Sequence, residues 1–395
     1  VTAIEPEPAA LPIRRRHVFN PPEELGSLRE QAPISPLRFP DGTNGWLITG
    51  YSVVREVLTD NRFSARHELR KLPPGQPRPE PAAPGFFVRM DAPRHTRYRK
   101  LLIGQFTQRR MIQLTPRIEA ITEECLDALE NRPHPVDLVQ HFALPVPSLV
   151  ISELLGVPYA DREVFQRNTA IMVDLASGQE RVATASAEIS RFLADLVQRK
   201  RRCPADDLLS GLIGAGDLTD AELTSIAFLL LVAGHETTAN MLSLGVFALL
   251  CHPKQLALLR ADRERADGAV EELLRYLTIM QFGMLRVVRE DVDLHGYRIA
   301  AGEAVMLSLP AANRDPAQFP APDVLDINRN QPGQLSFGHG AHFCLGHQLA
   351  RIELRVAYTA LLRRFPELRL AVPPKEVPRR EAMSIYGLHR LPVTW

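Results

Sequence analysis

From Thr219 to Leu250 the chain predicts a single helix of about 30 residues, roughly 45 Å long at 1.5 Å per residue. Thr219-Asp220-Ala221-Glu222 opens it with the hydroxyl-to-acid spacing of a capping box. Its middle, Ala227 to Ala233, is apolar on every face, so other elements must surround it on all sides. Gly234-His235-Glu236-Thr237-Thr238 then places polar groups inside that buried stretch. Such groups need partners, which predicts a ligand, ordered water or a break in the helical ladder at this point.

The rest of the chain reads as a helical body around that element. Nearly everything between Thr115 and Asp267 has helical character. Short strand signals flank it: Ile34–Phe39 and Gly45–Thr49 are separated by Asp41-Gly42, a hairpin cue, and others lie at Arg286–Leu294, Ala304–Leu309 and near the C-terminus. Prolines crowd Leu72–Pro84 and Pro310–Pro332, predicting long irregular connections. Length alone suggests two or three domains, yet no repeat or low-complexity linker divides the sequence. The expected class is mainly α with a minor β region.

The net charge of +1 gives no electrostatic reason to bind nucleic acid. Four cysteines, Cys125, Cys203, Cys251 and Cys344, stand far apart with no pairing motif, which favours a reducing compartment. The N-terminal region has Arg14-Arg15-Arg16 but no apolar core of a signal peptide. Ile226–Gly234, the longest apolar run, is half of what a membrane-spanning helix needs. A cytoplasmic location without a membrane anchor is the expectation.

Ser336-Phe337-Gly338-His339-Gly340-Ala341-His342-Phe343-Cys344-Leu345-Gly346 sets one cysteine in a glycine-and-histidine loop. Gly338, Gly340 and Gly346 offer unusual dihedrals and close approach. From Leu345, apolar residues recur at Leu349, Ile352 and Val356, so a helix follows and Cys344 sits at its positive end. A thiolate there suits a soft axial ligand of a haem iron. A buried structural cysteine is a second reading. Zinc is a third, because His339, His342 and His347 flank Cys344, although no CxxC occurs in the chain.

The loop resembles the haem-binding motif of the cytochrome P-450 family, Phe-x-x-Gly-x-(Arg/His)-x-Cys-x-Gly, at every fixed position. Ala233-Gly234-His235-Glu236-Thr237-Thr238 resembles that family's oxygen-activating stretch, and Glu272-Leu273-Leu274-Arg275 with Arg329 its E-x-x-R and meander. His95 and Arg99 match its H-x-x-x-R helix. The resemblance spans almost the whole chain. It implies a single haem-thiolate monooxygenase fold over residues 1–395 and a monomer binding haem b through Cys344. Phe337, Gly338, Gly346 and Ala233 would lie against the haem, and His95, Arg99, Arg286 and His342 would hold its carboxylates. Thr237 and Glu236 would deliver protons to dioxygen, although a Thr bonded back to its helix and a Glu in an ion pair fit the same residues. Glu272, Arg275 and Arg329 would form a structural network.

By the same resemblance Phe86, Phe87, Val88, Val232, Ala233, Leu285, Ile385 and Tyr386 line the substrate pocket, and a largely apolar lining predicts a hydrophobic, medium-to-large organic substrate. The implied branch oxidises polyketides and macrolides, statin-like acids or sterol-like molecules. Electrons would come from NAD(P)H through a ferredoxin reductase and a ferredoxin docked near Arg97, Lys100, Arg109 and Arg110. A haem-binding sensor or carrier without turnover, and a peroxygenase or nitric oxide reductase on the same fold, are the rival functions.

Overall fold

The computed structural model describes residues 8–73, 75–158, 161, 167–168, 171 and 178–395. The expected central helix spans Asp220–Cys251, and its capping box forms as the sequence predicts: Thr219 Oγ1 accepts from the Glu222 N–H while Glu222 reaches back to the Thr219 N–H. Gln179–Arg202, Pro145–Leu155, Ala266–Leu277 and His347–Arg364 pack around it. Ile226, Ala227, Leu229, Leu230 and Leu231 are buried as their all-apolar surroundings require, but Val232 is exposed.

The polar interruption does not break this helix, which remains α-helical throughout its length. Its polar side chains find partners nearby instead. Thr237 Oγ1 donates to the Ala233 carbonyl (2.6 Å) and Asn240 Nδ2 to the Glu236 carbonyl (2.9 Å). His235 is buried, and burial pushes its imidazole down to about 4 against the pull of the Leu144 backbone.

The helix after the cysteine loop, His347–Arg364, crosses the central helix closely. Tyr358 is fully buried and its hydroxyl donates to the Met241 carbonyl at 2.7 Å. Gly245 makes the crossing possible, since a Cβ there would collide with the Tyr358 hydroxyl. Both helices contribute walls to the cavity described below.

The minor β region gathers to one side. Ile34–Arg38 and Asn44–Ile48 pair antiparallel as the Asp41-Gly42 cue suggests, and Asn44–Ile48 then pairs in parallel with Ala304–Leu307. Leu285–Val288 and Phe63–Ser64 extend this sheet, and Ala9–Ala10 lies on its other edge. The stretch expected to be one strand from Arg286 to Leu294 is instead Leu285–Val288 plus Val292–Leu294, and the second piece turns at His295-Gly296 to pair with Tyr297–Ile299. Val136–Asp137, Pro392–Thr394 and Arg369–Leu370 form a third small sheet. Part of the region expected to be helical, 159–177, lies mostly outside the described residues.

Glu272, Arg275 and Arg329 come together behind the cysteine loop. Arg275 donates Nε and Nη2 to the two Glu272 oxygens at 2.7 and 2.8 Å, and Arg329 Nε reaches Oε1 at 3.1 Å. The remaining Arg275 donors meet the carbonyls of Asn313, Pro322 and Val324. Arg329 in turn holds the carbonyls of Pro320, Ala321 and Val324. The irregular stretch rich in proline is therefore pinned by two guanidiniums rather than by strands. Among the described residues no single helix is long and apolar enough to cross a membrane.

Candidate active site

The loop that carries Cys344 is shaped by its glycines and its own hydrogen bonds. Gly338 and Gly340 adopt φ of 72° and 70°, and a Cβ on Gly340 would strike the Leu58 carbonyl. The Cys344 N–H returns to the Phe337 carbonyl at 2.9 Å, closing the loop just before Gly346 caps the following helix. Gly346 has an ordinary φ of −84°, so its dihedrals do not demand glycine. It is small for another reason: it borders the cavity, and a Cβ there would project into open space.

That cavity, about 300 Å³, opens between Cys344 and the central helix. Phe337, Gly338, His342, Cys344 and Gly346 line one side of it, and Ala233, Gly234, Thr237 and Thr238 the other. Its apolar walls are Phe87, Val88, Pro147, Ile151, Leu229, Leu230, Met241, Ile279, Met280, Met284 and Ile385. The central-helix residues fall on one stripe: at 100° per residue, Leu229, Leu230, Ala233, Gly234, Thr237, Thr238 and Met241 occupy about half the circumference.

Four of the expected pocket residues lie elsewhere. Val232 sits about 150° from the middle of the lining stripe, on the far side of the helix. Leu285 and Arg286 are neighbours on a strand, so they face opposite ways. Leu285 joins the apolar cluster with Met306 and Leu47, leaving Arg286 toward His95 and His342. The same alternation separates Ile385, which bridges to Met280 and lines the cavity, from Tyr386. Tyr386 donates its hydroxyl to the Val18 carbonyl at 2.6 Å, with the Arg15 guanidinium 3.8 Å above its ring. Phe86 precedes the 3-10 turn Phe87–Arg89 and packs against the main core, while Phe87 takes the cavity position.

One end of the cavity gathers cationic and imidazole groups. His95 and His342 stack at 4.1 Å between ring centroids, and Arg99 lines the same wall. Burial pushes Arg286 down to about 10 and His95 to about 4, with Arg99 and Arg286 adding to the effect on His95. His342 falls to about 3, first by burial and then through His95 and the two arginines. His95 Nε2 is buried with no hydrogen-bond partner. Asp91, the acid that acts on Arg286, is already engaged by Ser64 Oγ (2.5 Å) and the Ala65 N–H (2.9 Å). Buried cations and an orphaned imidazole nitrogen are the donor set that a bound dianion would complete.

Cys344 is half-buried at the cavity wall, and burial raises its thiol, opposed by the Gly346 N–H and the charges of Arg99 and Arg351. A metal centre beside it would favour the thiolate. The flanking histidines do not converge with it on one point. His342 faces His95, His347 Nδ1 meets Arg351 at 2.6 Å, and His339 lies 3.4 Å from Arg55. A single cysteine, a cationic end and open space at Gly346 therefore fit a haem with two carboxylates better than a tetrahedral ion.

The Cytochrome P-450 family model matches residues 176–392 of the chain. The cytochrome P-450 105C1 of a Streptomyces species is 53% identical over 98% of this chain and 99% of its own length. The chain belongs to the cytochrome P-450 family. A vitamin D(3) 25-hydroxylase of Pseudonocardia autotrophica is 45% identical, covering 95% of this chain and 94% of that protein. Among solved structures, cytochrome P-450 MoxA from Nonomuraea recticatena superposes with a TM-score of 0.92 at 45% identity, over 98% of each chain. The chain is thus a cytochrome P-450 monooxygenase, and its family uses haem and dioxygen.

Several residues of this site had no sequence motif to mark them. Ile151, Met241, Met280 and Met284 read as ordinary core positions in the sequence and are cavity walls in the fold. Glu353 also borders the cavity, with Oε2 buried and unpartnered and its carboxyl held well above the usual range by burial. The helical spacing from Thr237 and from Leu349 could have placed Met241 and Glu353, one turn further on.

Glu236 lies just beside the lining stripe rather than on it. Its carboxylate is taken by Arg380, whose Nη2 donates to Oε1 at 2.6 Å. Of the cations expected to dock a redox partner, Arg97 is occupied: it bonds Glu222 at 2.6 Å and the Asp217 carbonyl. Arg110 pairs with Asp206 and Gln105, whereas Lys100 and Arg109 are exposed.

Proposed function

We propose that this monooxygenase hydroxylates a C–H bond of a hydrophobic, medium-to-large organic molecule, with polyketides, macrolides, statin-like acids and sterol-like compounds as the substrate classes to test. The observation that carries this reading is one cavity with Cys344 on one wall, Ala233 and Thr237 on the facing helix, and apolar side chains around them. The name of the Pseudonocardia relative, a vitamin D(3) 25-hydroxylase, supports the sterol-like end of that range.

Cys344 is the residue to hold the haem iron, with His95, Arg99, Arg286 and His342 as donors to the haem carboxylates. Bound haem would supply the activation of dioxygen and its insertion into a C–H bond. The chain's own residues do the rest. Ala233 and Gly234 leave room beside the helix for a diatomic molecule. Thr237 presents a hydroxyl on the cavity face, and Glu236 one position earlier is the acid that resupplies its proton. Phe87, Val88, Ile385 and the methionines exclude water and hold the substrate by contact area, with specificity set by shape. Met280 and Met284 adapt to irregular ligands because an unbranched thioether repacks easily.

Electrons are proposed to come from NAD(P)H through a ferredoxin reductase and a ferredoxin, with exposed Lys100 and Arg109 as docking cations. The test is a titration of the purified holoprotein with members of each substrate class, read as a low-to-high-spin shift, followed by turnover with a surrogate ferredoxin system. Oxygenated product from a ligand that shifts the spin state supports the reading. Peroxide-driven turnover that outpaces the ferredoxin system would favour the peroxygenase instead.

A further inference from the structure

Arg380 belongs to none of the motifs above, yet it holds the acid beside the cavity. It lies 144 residues from Glu236 in sequence and is 7% exposed. A reversing segment carries it inward: Arg379 bridges to Leu388, and the Arg380 N–H donates to the Gly387 carbonyl at 2.9 Å. From there the guanidinium straddles one turn of the central helix. Nη2 meets Glu236 Oε1 at 2.6 Å and Nη1 meets Asn240 Oδ1 at 3.2 Å. Asn240 is tied to the same turn through the Glu236 carbonyl. Gly387 closes the arrangement from outside, since a Cβ there would collide with the Asn240 side chain.

Two consequences follow from this geometry. A bond of 2.6 Å to a mostly buried guanidinium fixes the rotamer of the Glu236 side chain. Glu236 is thereby aimed at the 379–388 segment, and it does not border the cavity. Thr237 borders the cavity, with its hydroxyl donating to the Ala233 carbonyl. Of the acid–alcohol pair, Thr237 lines the cavity and Glu236 is held away from it. The second consequence concerns substrate. Ile385 sits on the same reversing segment as Arg380, lines the cavity and bridges to Met280. One short element thus touches both the substrate space and the acid.

We propose that Arg380 is a positioning residue for Glu236: it holds the carboxylate turned away from the cavity, and contact of the substrate with Ile385 loosens this pair so that the acid can serve Thr237. This rests on the reading that Glu236 and Thr237 carry protons in the reaction. Arg380 touches neither substrate nor haem, and its effect passes through the rotamer of Glu236. Its Nε is buried without a partner, so the guanidinium has a free donor with which to take a second position.

The experiment compares wild type, Arg380→Gln, Arg380→Lys and Ile385→Ala as full-length holoproteins with a spin-shifting substrate and surrogate ferredoxin. The readouts are product formed per NAD(P)H, the solvent isotope effect on turnover, the substrate Kd from the spin shift, and the infrared band of the Glu236 carboxylate, assigned by its loss in Glu236→Gln. Arg380→Gln is expected to change the product yield and the solvent isotope effect by about twofold or more with Kd unchanged. Its carboxylate band should move even without turnover, and Arg380→Lys should restore part of each effect. In wild type, substrate should shift that band, and Ile385→Ala should weaken the shift. Unchanged coupling and isotope effect in Arg380→Gln would overturn the proposal, as would a substrate-independent band in wild type. Thr237→Ala in the same assay separates the two ideas. If Thr237→Ala leaves coupling intact, the proton-relay reading itself fails; if it uncouples while Arg380→Gln does not, only the positioning role fails.

Discussion

Replacing Glu272 with Ala removes one carboxylate and strands two guanidiniums. Arg275 is 2% exposed and Arg329 has only a tenth of its side chain accessible, so neither recovers solvation when the acid goes. Each keeps backbone carbonyl partners for its Nη groups, but both Nε donors lose their acceptor and both charges are left uncompensated. The Asp326 N–H, which also bonds Glu272 Oε1 at 3.0 Å, loses its acceptor as well. Breaking a buried pair by deleting one partner costs about 3–5 kcal/mol. With an unfolding entropy of about 2.1 cal/mol/K per residue, roughly 0.8 kcal/mol/K for a chain of this length, that range corresponds to a fall in Tm of about 4–6 °C. Calorimetry and denaturant unfolding of the holoprotein, at matched haem content, should agree on this figure. A loss below about 1 kcal/mol would refute the view that the Glu272 carboxylate is what compensates both arginines.

Other perturbations follow from the same contacts. Thr237→Ala should raise peroxide relative to product in the ferredoxin-driven assay, and unchanged coupling would remove Thr237 from proton delivery. Tyr358→Phe loses the hydrogen bond to the Met241 carbonyl and should cost about 1 kcal/mol, whereas Gly245→Val should cost clearly more by forcing the two helices apart; equal stability of all three proteins would contradict the close crossing. Glu222 is held down to about 2: burial raises it, but hydrogen bonds from Arg97, Tyr98 and Thr219 outweigh burial. Its native value lies below the ordinary 4.5, so its stabilisation is present above pH 4.5 and disappears as pH falls toward about 2. Glu222→Gln should flatten the loss of stability across that window, and an acid-unfolding curve parallel to wild type would rule the contribution out.

How far the sequence foretells this molecule depends on how local each feature is. The capping box at Thr219, the hairpin at Asp41-Gly42 and the cysteine loop are short-range patterns, and each forms where its residues predict. The cavity lining was harder because a list of apolar residues carries no direction. Strand alternation separates Leu285 from Arg286 and Ile385 from Tyr386, and helical rotation turns Val232 from the face of Ala233. Those periods were present in the chain, but only the packing shows which face meets the cavity. The polar turn at Glu236 was expected to need outside partners or a broken helix. One of its partners, Arg380, lies so far along the chain that no spacing rule reaches it. Arg97, expected among the docking cations, is exposed and also pairs with Glu222 at the start of the central helix, a contact equally far along the chain.

The central claim is that Cys344, enclosed between its glycine loop and the central helix, supplies a thiolate to a haem iron. The most direct measurement is the absorption spectrum of the purified protein, ferric and then reduced under carbon monoxide, for wild type and Cys344→Ser. The account predicts the red-shifted carbonmonoxy band of thiolate ligation in wild type and its loss in Cys344→Ser. A histidine-type band in wild type, or a thiolate band that survives the substitution, would contradict it.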